Sequence, residues 1–187
     1  MRKIVLHLGI SIDGYFEGPD ADISWHRVDE ELHTFFNRQL ATASAFLEGR
    51  VTYELMEEFW PSADQDPDAS PSMAEFAGIW RGMPKIVYSR TLDTPGPNAT
   101  VVRDVVPEEV RALQAQPGGD MVVGGPVLAE SFREHDLIDE YRIFVNPVLL
   151  GRGRRLFESE GMPADLQLVE TRTFGNGVVM LRHERRR

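Results

Sequence analysis

At 187 residues, with 42% hydrophobic and 27% charged side chains, the chain can bury a sizeable core and has the composition of a globular protein. Its net charge of −10 at pH 7 argues against a nucleic-acid partner, which would call for a basic face. The absence of cysteine excludes disulfides, iron–sulfur clusters and thiolate zinc sites and fits the cytoplasm, and no apolar run approaches the ~18 residues of a membrane span.

Lys3 to Ser11 is rich in Ile, Val and Leu and reads as a first strand, left through the turn Ser11-Ile12-Asp13-Gly14-Tyr15. Loop composition then runs to Trp25-His26. Val28, Leu32, Phe35, Phe36 and Leu40 share one helical face, with Asp29, Glu30 and Glu31 in the first turn, where acids complement the helix dipole. Ala45 to Glu48 is a short strand, and Gly49-Arg50-Val51-Thr52-Tyr53-Glu54 turns it into a second helix. Pro61 to Pro71 is loop, Ser72 to Trp80 a short helix, Pro84 to Ser89 a strand followed by Arg90-Thr91, and Thr100 to Arg103 another strand. Pro107 opens a helix to about Ala115, and Pro117-Gly118-Gly119 leads into the apolar run Met121-Val122-Val123. Gly124-Gly125 follows, then Pro126 at a helix start, with Val127, Leu128 and Phe132 at helical spacing. Tyr141 to Leu150 is a strand bent at Pro147, and Gly151 to Phe157 is a glycine-rich loop. Leu166 to Phe174 and Val178 to Arg182 form a hairpin around Gly175-Asn176-Gly177.

This alternation predicts one α/β domain over residues 1–187, with a mostly parallel sheet and a C-terminal antiparallel hairpin. Ligands of such sheets sit beyond the carboxyl ends of the strands, where Gly49-Arg50, Ser89-Arg90 and Gly124-Gly125 all fall. Two readings of Gly124-Gly125-Pro126 stand side by side. One is a tight structural turn; the other is a cradle in which glycine lets a phosphate approach a helix N-terminus. Arg50 could pair with a phosphate and Thr52 could donate to it, or both could be ordinary surface residues near a helix start. His26 and His33 lie seven apart with no second pair, so no metal site is expected, and neither G-x-G-x-x-G nor G-x-S-x-G occurs. The apolar residues Tyr141, Ile143, Phe144, Val145, Val148 and Leu149 fit a central strand buried on both faces or would be exposed at a sheet edge; a symmetric homodimer is expected to cover them, the alternative being cover by Leu166 to Phe174 and the final hairpin strand within one chain.

The segments S-I-D-G-Y, G-R-V-T-Y-E, V-Y-S-R-T-L, V-V-G-G-P-V-L and N-P-V-L-L-G-R-G-R-R-L-F occur in this order. Together they resemble the dihydrofolate-reductase-like family, nearest the reductase domain of the bifunctional riboflavin biosynthesis protein and its stand-alone relatives. The resemblance implies a three-layer α/β/α fold, a dimer, and NADPH as hydride donor to a small molecule: a pterin, a pyrimidine or another carbonyl or imine. Such chemistry is that of 5-amino-6-(5-phosphoribosylamino)uracil reductase or dihydrofolate reductase. The resemblance places Gly49, Arg50 and Thr52 at the cofactor phosphates and Ser89, Arg90 and Thr91 beside the adenosine 2′-phosphate. Gly124, Gly125, Pro126, Val127 and Leu128 fall under the pyrophosphate and nicotinamide. Trp25 resembles the tryptophan of the loop over the substrate. Dihydrofolate reductase places one acid early in its first helix, and Asp29, Glu30 and Glu31 all lie nearby. Asp13, Glu30 and Glu31 are the candidate proton donors, with Trp25 and Asp29 in the substrate pocket. The alternative is a non-catalytic nucleotide-binding dimer of the same fold.

Overall fold

The computed structural model describes residues 1–158 and 163–186. Among them the strands are β1 (Ile4–Ser11), β2 (Tyr15–Glu17), β3 (Ala45–Gly49), β4 (Lys85–Tyr88), β5 (Ala99–Val102), β6 (Met121–Gly124), β7 (Glu140–Asn146), β8 (Arg154–Arg155), β9 (Leu166–Thr173) and β10 (Val179–Arg185). The helices are α1 (Glu30–Leu40), α2 (Arg50–Phe59), α3 (Pro71–Gly82), α4 (Pro107–Ala115) and α5 (Pro126–Glu134). Eight strands form one sheet in the order β5-β4-β3-β6-β1-β7-β10-β9. The pairings from β5 through β7 are parallel, and the β9–β10 hairpin adds antiparallel to β7. This is the dihydrofolate-reductase-like α/β/α arrangement expected.

The period-two alternation of the strands assigns each side chain to a layer. Ile4, Leu6, Ala45, Leu47, Met121 and Val123 face α4 and α5, where they pack with Leu128 and Phe132. Phe46, Val87 and Val122 face the other way, against Tyr53 of α2 and Phe76 and Trp80 of α3. Burying each large apolar side chain contributes roughly 1.5–3 kcal/mol. A third cluster joins Leu32 of α1 to Phe144 of β7 and Met180 of β10.

Four local expectations change. Helix α1 begins at Glu30, because Asp29 accepts from the Leu32 N–H (3.0 Å) and caps it; Val28 stays outside, exposed. Trp60–Gln65 is a 3₁₀ turn rather than loop. The glycine-rich segment contributes β8, which pairs with β2 in a small second sheet; neither is long enough to show a periodicity in sequence. Strand β7 stops at Asn146, before Pro147, which has no N–H to give a ladder. More importantly, β7 lies inside the sheet between β1 and β10, so Tyr141 and Phe144 are buried within one chain, whereas Leu149, beyond the strand's end, stays exposed. The edge that sequence reasoning assigned to β7 belongs to β9.

Candidate functional site

Four parallel strands end together. Register sets Glu48 beside Gly124, Gly49 beside Tyr88, and Tyr88 beside Val102. The residues that follow these ends, Gly125, Arg50, Ser89 and Arg103, therefore share one rim. Gly125 precedes α5 with φ +81° and ψ 143°, a conformation nearly reserved for glycine. A Cβ built on it would sit 2.2 Å from Thr52 Oγ1. Leu128 Cβ lies 3.7 Å from where a Gly49 Cβ would be, so Gly49, Thr52, Gly125 and Leu128 converge. Neither α2 nor α5 has a side-chain cap, which leaves first-turn N–H groups directed at the rim. Pro126 opens α5, and Val127 beside it is exposed.

The rim arginines hold surface carboxylates. Arg50 pairs with Glu54 at 2.7 Å, and Arg90 makes a close pair with Asp104. Arg103, not singled out in sequence, donates to the carbonyls of Ser89 (3.1 Å) and Leu92 (2.9 Å). Ser89 Oγ accepts from the N–H groups of Thr91 (3.2 Å) and Leu92 (2.9 Å), so it shapes the turn that presents Arg90.

Beneath the rim, between the sheet and α1, α2 and α3, lies a cavity of about 540 Å³. Its wall is largely apolar and aromatic, with Phe36, Phe46, Trp60, Phe76 and Trp80, and it reaches Thr52, Gly124 and Gly125 at the rim. That size and lining suit a small-molecule site.

The acids proposed from sequence do not line this cavity. Asp13 accepts from the Ser11 hydroxyl and from the N–H groups of Leu150 and Gly151; these bonds, the Ser11 one foremost, hold its carboxyl down at about 2. Asp29 caps α1. Glu30 accepts from the Ser72 hydroxyl (2.7 Å) and N–H (3.0 Å), and the hydroxyl bond holds it below the usual range. Glu31 accepts from the Gly175 N–H at 3.0 Å. Each secures a turn or helix end, and Asp13 and Glu30, held ionised by these bonds, make poor proton donors. Trp25 donates its indole N–H to the Asp22 carbonyl and lies tilted against His26; His26, not Trp25, lines the cavity.

The carboxyl that reaches the cavity is Glu48, which sequence reasoning missed. It shares a face of β3 with Phe46, and its side chain occupies the space that a Cβ on Gly124 would take, at 2.5 Å. Glu48 Oε2 is sealed from solvent with no hydrogen-bond partner. Burial pushes its carboxyl up to about 8, a rise that the Lys85 charge only partly opposes. The other buried glutamate among the described residues, Glu140, differs. Burial would raise it too, but the hydrogen bonds from Arg142 and Lys3 and the charges of Arg142 and Arg182 outweigh burial and hold it below the usual range. His7, on β1 across the cavity, has both ring nitrogens unpartnered; burial, reinforced by the Arg142 charge, pulls it down to about 3. The legible signal for Glu48 was a charge inside Ala-Phe-Leu-Glu-Gly, a run that a parallel sheet buries on both faces.

A mixed sheet of this order, with a glycine turn, a rim of arginines and an apolar cavity under it, is a dihydrofolate-reductase-like α/β fold. The chain belongs to the RibD C-terminal domain family, which it matches over residues 2–180. It is 33% identical over 182 residues to the uncharacterized protein YyaP of Bacillus subtilis (strain 168), covering 96% of this chain and 93% of that protein. Among solved structures it is similar to a Shewanella sp. PV-4 protein provisionally assigned to riboflavin biosynthesis (TM-score 0.77, 21% identity, 100% of both chains). It also matches a Thermotoga maritima diaminohydroxyphosphoribosylaminopyrimidine deaminase/5-amino-6-(5-phosphoribosylamino)uracil reductase (TM-score 0.66, 16% identity), covering 99% of this chain and 57% of that one.

Proposed function

We propose that the chain is a cytoplasmic NADPH-dependent reductase that reduces a small acceptor held in the cavity beneath the rim. The observation that carries this reading is shared residues: Thr52, Gly124 and Gly125 line the cavity and also build the glycine turn. A nicotinamide anchored at that turn would therefore meet whatever the cavity holds. Family membership supports it, since the named Thermotoga relative is a reductase of a pyrimidine.

The residues fit the dinucleotide. The turn at Gly125 packs its bare backbone against Thr52, where a Cβ would not fit, and the uncapped first turns of α2 and α5 offer N–H groups to a pyrophosphate. Arg50 and Arg90 supply the cations, and their present partners are surface carboxylates, whose pairings are worth little and can be exchanged for phosphate. Reduced nicotinamide bound there would supply the hydride. This chain's own part is to grip the phosphates at the rim, exclude water with the aromatic wall, and orient the acceptor against the Gly124–Gly125 turn.

NADPH is expected to bind more tightly than NADH, because charge-assisted bonds from arginine to the 2′-phosphate contribute roughly 1.5–3 kcal/mol each. Arg90→Ala should remove most of that preference while leaving NADH binding nearly unchanged; Kd values for both cofactors, measured on both proteins, check this. Asp104 beside Arg90 is what the test turns on. If it keeps Arg90 and meets the ribose hydroxyls instead, the two cofactors bind wild-type protein equally, and NADPH leaves the proposal.

The homodimer stands as a proposal on new ground. Strand β9 ends the sheet with Leu168 and Val169 exposed, and a second copy pairing across that edge would cover them. Light scattering at micromolar concentration should then give twice the chain mass. A single-chain mass would withdraw the dimer and leave the reductase reading standing.

A further inference from the structure

The cavity carries a charge pattern of its own. No lysine or arginine is among its lining residues. Its basic groups are His7, His26 and His33, each lowered below the ordinary histidine range, chiefly by burial, and therefore neutral at neutral pH. Its one acid is Glu48, buried, with an unpartnered oxygen. A phosphate placed here would meet a carboxyl and no cation, which is costly in an apolar enclosure. Phosphate-binding cations lie on the rim instead.

Building on the reductase reading, we propose that the cavity takes an uncharged, unphosphorylated ring bearing a conjugated carbonyl or imine, and that the Glu48 carboxyl hydrogen-bonds that acceptor atom. The aromatic wall supplies stacking surface for a planar ring. Gly124 leaves the space in which the carboxyl lies, beside the turn where a nicotinamide would end. With its carboxyl raised to about 8, Glu48 is protonated at neutral pH and has an O–H to give. The charged and titratable groups around it do not take that role. Lys85 Nζ donates to the carbonyls of Trp80 (2.6 Å) and Met83 (3.1 Å). Glu57 accepts the Trp80 indole N–H at 2.8 Å. His7, His26 and His33 line the cavity as neutral rings.

The test is a titration of the whole chain, without cofactor, followed by the fluorescence of Trp60 and Trp80 in the cavity wall. The probes are α-tetralone, a neutral bicyclic ketone; tetralin, which lacks the carbonyl; and 1-naphthyl phosphate. At neutral pH α-tetralone should bind roughly tenfold more tightly than either of the others, the scale of one buried hydrogen bond kept or lost. Its affinity should fall as pH rises through about 8, when Glu48 loses its proton. Glu48→Gln, which keeps a donor of similar shape, should hold α-tetralone equally well and remove the pH dependence; Glu48→Leu should bind it no better than tetralin. Three results overturn the proposal: naphthyl phosphate binding as tightly as the ketone, an affinity flat with pH in wild type, or an unchanged pH profile in Glu48→Gln. A parallel NADPH titration on the same samples reads the reductase assignment separately.

Discussion

Gly125→Ala is expected to destabilise the chain by roughly 2–6 kcal/mol and to abolish cofactor binding in whatever fraction stays folded. Two terms add. Backbone at φ +81° and ψ 143° is strained for any residue with a Cβ, at roughly 1–3 kcal/mol. The new methyl would also lie 2.2 Å from Thr52 Oγ1, and relieving such an overlap in packed surroundings costs a further ~1–3 kcal/mol. Because the turn begins α5 and abuts α2, any shift moves both sets of N–H groups at once. The double variant Gly125→Ala/Thr52→Ala removes the side-chain overlap and keeps the backbone strain, so its denaturation midpoint should recover only part of the loss. Midpoints equal to wild type for the single variant would mean the turn is relaxed with a side chain present.

The second large effect concerns Glu48 and pH. A carboxyl at about 8 in the folded state and 4.5 in the unfolded one makes the folded state bind the extra proton between those values. Stability from this group is fully present below 4.5, falls by roughly 1.4 kcal/mol per pH unit above it, and is lost once pH passes about 8. His7 has the opposite sign: at about 3 folded against 6.5 unfolded, it adds stability as pH rises from 3 to 6.5. The two slopes oppose each other from 4.5 to 6.5, so from this pair wild type should show a plateau there, with decline on both sides. Glu48→Gln removes the alkaline decline. Its stability relative to wild type should grow steadily between 4.5 and 8, by a few kcal/mol in all. Urea denaturation at a series of pH values checks this; parallel curves for the two proteins would show that Glu48 ionises freely in the fold.

Most of the frame was legible because its signals are local. The parallel core shows as short apolar runs, the hairpin as Asn176-Gly177, and the glycine turn as Gly124-Gly125-Pro126 after Met121-Val122-Val123. What sequence could not show is which acids are already occupied. Asp13, Asp29, Glu30 and Glu31 sit at attractive places along the chain, yet each has its own local or tertiary N–H or hydroxyl partner. Some of those partners are far away in sequence, as Gly151 is from Asp13 and Gly175 from Glu31. Glu48 escaped notice for the converse reason. Its meaning depends on a neighbouring strand that offers a glycine in place of a side chain, and that pairing exists only once β3 lies against β6. The edge assignment failed similarly: an apolar run cannot say whether its cover is a second chain or β10.

Calorimetric titration of the wild-type chain with NADPH, and then with NADH, tests the central claim most directly, because it asks only whether the rim is a cofactor site. One NADPH per chain, bound at least about tenfold more tightly than NADH, is the predicted result. Absence of NADPH binding at millimolar cofactor would contradict the assignment of the Gly125 turn and its arginines, and with it the reductase reading.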